Sequence, residues 1–385
     1  MADFDAIRPY HDSEVREVLA RLLADAEFLD SIARFKLPKV AKYIAPVLRP
    51  IVRSRLNKEL VNVQAVSDFQ ALIEPYMQNM LDKTVDELTV SGLDNVNTAH
   101  AHLFISNHRD IAMDPAFVNW VLYKNGFTTL RIAIGDNLLT KPFASKLMRL
   151  NKSFIVNRSA KAPREKFKAA KLLSSYIHHS VVSDRENVWI AQREGRAKDG
   201  LDITNPAILS MLMLNKPKKE NFEAYLQEIQ IVPVSISYEY DPCDFAKARE
   251  IVKKETQGEY QKAPHEDVES IAKGIVGYKG RVHVAFGEPL VKGYESVDEL
   301  VAGLDKQIAS NYVLQATNCF AYEMLNGKPP KVKVGQKGQL FSEMDLHEER
   351  EKFKRYIDEG GSDYRETCLQ MYANPIERKF EFDLE

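Results

Sequence analysis

A chain of 385 residues is long enough for a large core and two or three domains, and 44% hydrophobic with 28% charged residues marks a globular rather than a disordered or fibrous protein. The formal net charge of −2 gives no overall pull toward nucleic acid. No uncharged apolar run approaches the roughly 18–20 residues that a membrane-spanning helix needs.

The opening MADFDAIRPY lacks the charged-then-apolar pattern of a secretion signal. Cys243, Cys319 and Cys368 are far apart, without metal-ligand spacing, as expected of free thiols in a reducing compartment. The expectation is a cytoplasmic protein, with room for peripheral contact at a membrane.

In chain order, residues 1–86 are expected to be helical. Val15, Leu19, Leu22 and Leu23 recur at helical spacing, as do Phe69, Leu72, Ile73 and Met77. Between them lies a basic, proline-punctuated segment, RFKLPKVAKYIAPVLRPIVRSRL. Residues 87–328 change texture. Short β-rich runs alternate with helical ones: LFIS then PAFVNWVLY, TLRIAIG then KPFASKLMRL, SFIVN then REKFKAAKLLSSYI, NVWIA then PAILSMLML. IQIVPVSISY and RVHVAFG follow as strands, and one long helix is expected from about Ser296 to Met324. Alternation of this kind predicts an α/β fold with helices flanking a largely parallel central sheet. Residues 329–385 turn polar and then show two short helical patterns, expected to form an extension outside the core.

Ligands in open α/β sheets bind beyond the carboxyl ends of the strands. His108 follows the end of LFIS, in the stretch FISNHRDIAMDP; Arg158 and Arg196 follow other strand ends. Three readings meet at His108. In the first it is a plain strand-end histidine, and Asp114 with Pro115 is a helix N-cap followed by a first-turn proline. In the second, His-Arg-Asp opens a kinase catalytic loop; this fails because the required Asn position is Pro115 and the chain has no Asp-Phe-Gly. In the third, His108 is a general base toward an acceptor hydroxyl, with a carboxylate fixing its tautomer, and no nucleophilic Ser or Cys is needed. The residues permit the third reading without choosing it over the first. No second cluster supplies metal ligands.

The stretch also resembles the first block of the glycerol-3-phosphate and lysophosphatidate acyltransferase family, His-x-x-x-x-Asp. GDNLLTKPFASKLMRLNKSFIVNR, residues 135–158, is similar to the second block and ends in Arg158. NVWIAQREGRAKDG, residues 187–200, is similar to the third, usually Phe-Pro-Glu-Gly-Thr-Arg, and IVPVSISYE to the fourth. The likeness spans roughly residues 87–290, and the texture is closest to the soluble plant-type glycerol-3-phosphate acyltransferases. Two departures stand out. Five residues rather than four separate His108 from Asp114, so Asp114 or Asp110 is the partner acid. In the third block Arg193 stands at the usual Glu position, with Glu194 next to it; Arg196 keeps its place, and Lys198 stands where some relatives carry a second Arg.

The resemblance implies transfer of a fatty acyl group from acyl-CoA or acyl-carrier protein to a hydroxyl of glycerol-3-phosphate or its 1-acyl derivative, without metal or cofactor. The alternatives are another lysolipid acceptor or a catalytically silent lipid- or carrier-binding module. His108 would be the base. Arg158, Arg193, Arg196 and Lys198 would hold the acceptor phosphate, since Arg offers bidentate geometry to phosphate oxygens; the competing reading is solvated loop charge. Gly195 would let a ligand approach the backbone closely.

The basic segment suggests a further partner. Between Ser31 and Leu60 stand eight Lys/Arg (34, 36, 39, 42, 49, 53, 55, 58) against Glu59 alone, interleaved with apolar residues. Prolines 38, 46 and 50 are expected to break it into short helical pieces. Such a segment packs on the rest of the protein, or lies on an anionic membrane surface.

Overall fold

The structure is a computed structural model; it describes residues 3–263 and 266–382, and for residues 38–43 the backbone alone. Four helices open the chain: α1 (Asp12–Ala24), α2 (Ala26–Lys36), α3 (Pro38–Leu60) and α4 (Val66–Thr84). Then come β1 (Val85–Ser91), β2 (Leu103–Ser106), α5 (Met113–Lys124), β3 (Arg131–Gly135), α6 (Pro142–Leu150) and β4 (Ser153–Val156). Next are α7 (Pro163–His178), β5 (Val188–Ala191), α8 (Pro206–Leu212), α9 (Phe222–Ile229) and β6 (Ile231–Tyr238). The chain continues through α10 (Asp244–Gln257), α11 (Glu266–Val276), β7 (Gly280–Phe286), α12 (Val297–Asn311) and α13 (Ala316–Asn326). A small hairpin, β8 (Lys333–Val334) and β9 (Gln339–Leu340), precedes α14 (His347–Glu359) and α15 (Ser362–Phe380). Among the described residues, no helix is long and apolar enough to cross a membrane.

The chain forms two compact units, residues 1–79 with 131–172 and residues 80–130 with 173–385. The segments expected from sequence texture, 1–86, 87–328 and 329–385, are not these units.

In the smaller unit, the helical periodicities define a core of Val15, Leu19, Leu22, Phe28, Leu29, Phe69 and Leu150. Each fully buried side chain of this size contributes about 1.5–3 kcal/mol of hydrophobic stabilisation. Asp25 caps α2 by accepting from the backbone N–H groups of Glu27 and Phe28, and Arg49 of α3 makes a two-pronged ion pair with Asp30 of α2. β3 and β4 pair in parallel, Ile134 opposite Ile155. The segment of three prolines is bent once rather than cut into pieces. Pro38 is tolerated in the first turn, and the non-helical backbone is at Ile44 (φ −128°), two residues before Pro46. There the proline ring removes a donor and crowds the preceding turn.

In the larger unit, strands run in the order β1-β7-β6-β2-β5, parallel throughout except for β6 against β7. β2 lies between β5 and β6, and all four of its side chains are buried. This explains why LFIS reads as continuous apolar sequence rather than alternating: a parallel strand covered on both faces has no solvent side. Its carboxyl end delivers Asn107 and His108.

Two expectations are corrected here. The long helix from Ser296 to Met324 is two, α12 and α13, because the chain is extended at Tyr312 and Gln315, and Gln315 with Asn318 forms a capping box that starts a new helix. Residues 329–385 do not stand outside the core. Val332, Val334, Phe341, Phe353, Ile357, Cys368, Leu369 and Ile376 are buried in one cluster with Tyr240, Ala248, Leu314 and Phe320. Their apolar side chains were legible, but the polar run before them masked their destination.

Candidate active site

The site begins at Asn107. Its amide is buried and clamps the end of β2: Nδ2 donates to Asp202 Oδ2 and to the Ile236 carbonyl, both at 3.0 Å, and Oδ1 accepts from Ile236 N–H at 2.8 Å. These bonds hold the next residue, His108, which is 12% exposed. Its carbonyl accepts from Ala197 N–H at 2.7 Å, tying the histidine loop to the loop after β5. The imidazole meets the Trp189 ring edge-on, centroids 6.1 Å apart.

The Nδ1 atom of His108 is 2.9 Å from Asp114 Oδ2. The same oxygen accepts from the backbone N–H groups of Arg109 at 2.7 Å and Asp110 at 2.9 Å. The other carboxylate oxygen accepts from the Tyr238 hydroxyl at 2.6 Å. Asp114 is fully buried, so its charge is balanced by these donors rather than by water. It is not a helix N-cap, since the cap position is Ala112 and Asp114 lies in the first turn of α5. The capping carboxylate is Asp110, whose Oδ1 accepts from Ala112 N–H at 2.9 Å and Met113 N–H at 2.8 Å. Asp110 makes no hydrogen bond to His108. Burial, and then the nearby Asp114, raise the Asp110 carboxyl above the usual range.

Arg109 faces away from this chemistry. Its guanidinium grips Asp202, with Nε 2.8 Å from Oδ1 and Nη2 2.6 Å from Oδ2, and donates to the Gly200 carbonyl. Lys247, itself buried, donates to the Arg109 carbonyl at 2.6 Å and pairs with Asp241. Burial opposes the charge on Asp241, but Lys247 outweighs it and holds that carboxyl below its ordinary value.

The proposed phosphate-binding residues do not all share one environment. Arg196 donates from Nη2 to Ser270 Oγ at 3.4 Å, while its Nη1 is buried without a hydrogen-bond partner among the described residues. A buried guanidinium N–H in that state awaits a ligand or a water. Arg193 is half-buried and makes no hydrogen bond or ion pair among the described residues. Lys198 is ion-paired with Glu250; burial lowers its ammonium and Glu250 opposes that shift. Its charge is thus already matched within the protein. Gly195 has φ +73°, the left-handed region that favours glycine, with open space where a side chain would start. Arg158 belongs to the smaller unit, where its backbone N–H donates to Asp136 Oδ1 at 3.1 Å.

Sequence reasoning missed Tyr238, Asn107 and the Arg109–Asp202 and Lys198–Glu250 pairs. Asn107 had a signal, a polar residue at the end of an apolar run, directly before the histidine. Tyr238 had none beyond closing β6, and its bond to Asp114 spans 124 residues.

The class the structure defines is an α/β protein in which a buried parallel strand ends in a histidine held by a buried carboxylate, with arginines on the neighbouring loop. Residues 87–237 match the family model described as acyltransferase. The match contains His108, Asp114 and Arg196. Among solved structures, the 1-acyl-sn-glycerophosphate (LPA) acyltransferase PlsC from Thermotoga maritima is similar at 14% identity, over 77% of this chain and 94% of that one, with a TM-score of 0.34, a likeness too low to carry an argument. No curated protein matches the sequence.

Proposed function

We propose that the protein moves a fatty acyl group from a thioester, acyl-CoA or acyl-carrier protein, to a hydroxyl of glycerol-3-phosphate or 1-acylglycerol-3-phosphate. The observation that carries the reading is the 2.9 Å contact of His108 Nδ1 with a buried Asp114 whose other donors leave it no freedom to turn away. With Nδ1 engaged, Nε2 is the nitrogen left for substrate. It takes the proton of the acceptor hydroxyl as that oxygen attacks the thioester carbonyl. Asp114 stabilises the imidazolium so formed. The tetrahedral oxyanion needs N–H donors or a nearby cation. Its collapse forms the ester and expels the thiolate, which takes from His108 the proton that came from the acceptor hydroxyl. No acyl-enzyme is required.

The buried Nη1 of Arg196, unpartnered among the described residues, supports a role for this guanidinium on the acceptor phosphate; Arg193, on the same loop, remains a proposed contact. Lys198 remains a proposed phosphate contact that would have to release Glu250. Arg158 remains a proposed phosphate contact on the strength of the resemblance.

An acyl acceptor or product of this kind resides at a membrane, and α3 offers a surface for it. Phe35, Leu37, Ile44, Val47 and Ile51 are exposed, Val47 by 70% and Ile51 by 67%. Val47 and Ile51 are one turn apart on a helix that also carries Arg53, Arg55 and Lys58. That combination supports interfacial binding to anionic lipid on the cytoplasmic face. Lys39 and Lys42 lie outside the described side chains.

Mass analysis of the lipid products tests the reading. The purified protein, an acyl thioester and each acceptor should yield an acyl ester of the phosphorylated acceptor. Ester formation that ignores the phosphate would move the assignment to another acceptor.

A further inference from the structure

We infer that Tyr238 is a positioning residue for the His108–Asp114 pair, acting through the carboxylate oxygen that the histidine does not use. The inference rests on the acyl-transfer reading. Tyr238 closes β6 and is 6% exposed. Its ring is held edge-on against Phe117 of α5, centroids 5.7 Å apart, and its hydroxyl reaches back to Asp114 Oδ1 of the same helix at 2.6 Å. Asp114 Oδ2 is saturated by two backbone N–H groups and His108. Beside His108, the phenol is therefore the side-chain donor that fixes the rotation of the carboxylate about its Cβ–Cγ bond, and so the angle at which Oδ2 meets Nδ1. It also withdraws charge from the carboxylate, because a short bond from a neutral O–H to an anion is charge-assisted. Losing it leaves more negative charge facing the imidazole and makes the imidazolium harder to deprotonate.

Tyr238→Phe keeps the ring and removes only the donor. The expected result is a kcat about 10–100-fold lower, KM changed less than about twofold for donor and acceptor, and the acid limb of the kcat/KM profile moved to higher pH. In an Asp114→Asn background the same change should cost less than about twofold, because the two residues act as one. A residue that served packing alone would lower the melting temperature without moving the pH limb. Site-specific 3-fluorotyrosine, a stronger donor with the ring retained, should move the limb the opposite way, and it decides the matter if Tyr238→Phe does not fold. The titration of the His108 ring followed by NMR in both proteins is independent of turnover. It keeps this inference testable if wild type transfers no acyl group, an outcome that would sink the acyl-transfer reading instead. Unchanged kcat and pH profile in Tyr238→Phe, or an unchanged His108 titration where turnover cannot be read, overturns it.

Discussion

His108→Ala removes the base, together with its bond to Asp114 and its edge-on contact with Trp189. Acyl transfer should fall by about 10²–10⁴-fold in a protein that still folds; steady-state kinetics beside calorimetry check both halves. The two acids then separate. Asn at 114 can still accept from Nδ1–H and the backbone while donating to Tyr238, so the geometry survives and only the charge is lost. Turnover should drop about a hundredfold, within the range of positioned acid–base groups. Asp110→Asn should leave turnover nearly unchanged. The Asn oxygen still caps α5, and a carboxyl raised by burial and by Asp114 costs stability at neutral pH that Asn removes. Arg196→Ala should raise the acceptor KM more than the donor KM, through loss of a charge-assisted contact. A shift in the donor constant alone would place the phosphates of CoA or of the carrier arm at Arg196 instead. At this scale the sequence exposed His108, Asp114 and Arg196, because a histidine or arginine just past an apolar run stands out. It hid the partners. Whether Lys198 is free or matched depends on Glu250, 52 positions away, and no local pattern encodes that.

Elements were legible where one periodicity ruled them. Strand β2 declared itself by four apolar residues and a stop at Asn107, and α5 by its apolar density. The break between α12 and α13 was not, because Tyr312 and Leu314 continue an apolar pattern while the capping box at Gln315 ends it. The single bend of α3 has the same character: Pro50 is accommodated within the helix and the distortion gathers at Ile44. The exposed stripe on that helix yields a test. Val47→Ser with Ile51→Ser should weaken co-sedimentation with anionic vesicles while leaving transfer to a detergent-dispersed acceptor intact. Raised salt should weaken wild-type binding, since each exposed cation contributes about 1 kcal/mol near an anionic surface. Wild type that fails to bind such vesicles at low salt would remove α3 from consideration as the lipid contact.

For the whole molecule, the α/β class was readable from the alternation of strands and helices, whereas the division into two compact units was not. Each unit draws on segments far apart in sequence, and the change of texture near residue 87 does not mark where they divide. The carboxyl-terminal helices show what this means for stability. Tyr356 and Tyr372 donate to Asp244 Oδ2 at 2.7 and 2.8 Å. Burial, and next Asp241, push the Asp244 carboxyl up to about 6. An unfolded Asp titrates near 3.9, so the folded state holds this proton more tightly. The resulting stability is fully present below about 3.9 and is lost as pH rises through about 6. Melting temperature should fall across that window more steeply in wild type than in Asp244→Asn; parallel curves would contradict the assignment. The central claim is tested most directly by thiol release from acyl-CoA and from acyl-carrier protein with glycerol-3-phosphate, 1-acylglycerol-3-phosphate or unphosphorylated 1-acylglycerol, in wild type and His108→Ala side by side. Release should depend on a phosphorylated acceptor and be abolished in the folded variant. Release that needs no acceptor, or that persists at full rate without His108, would contradict that claim.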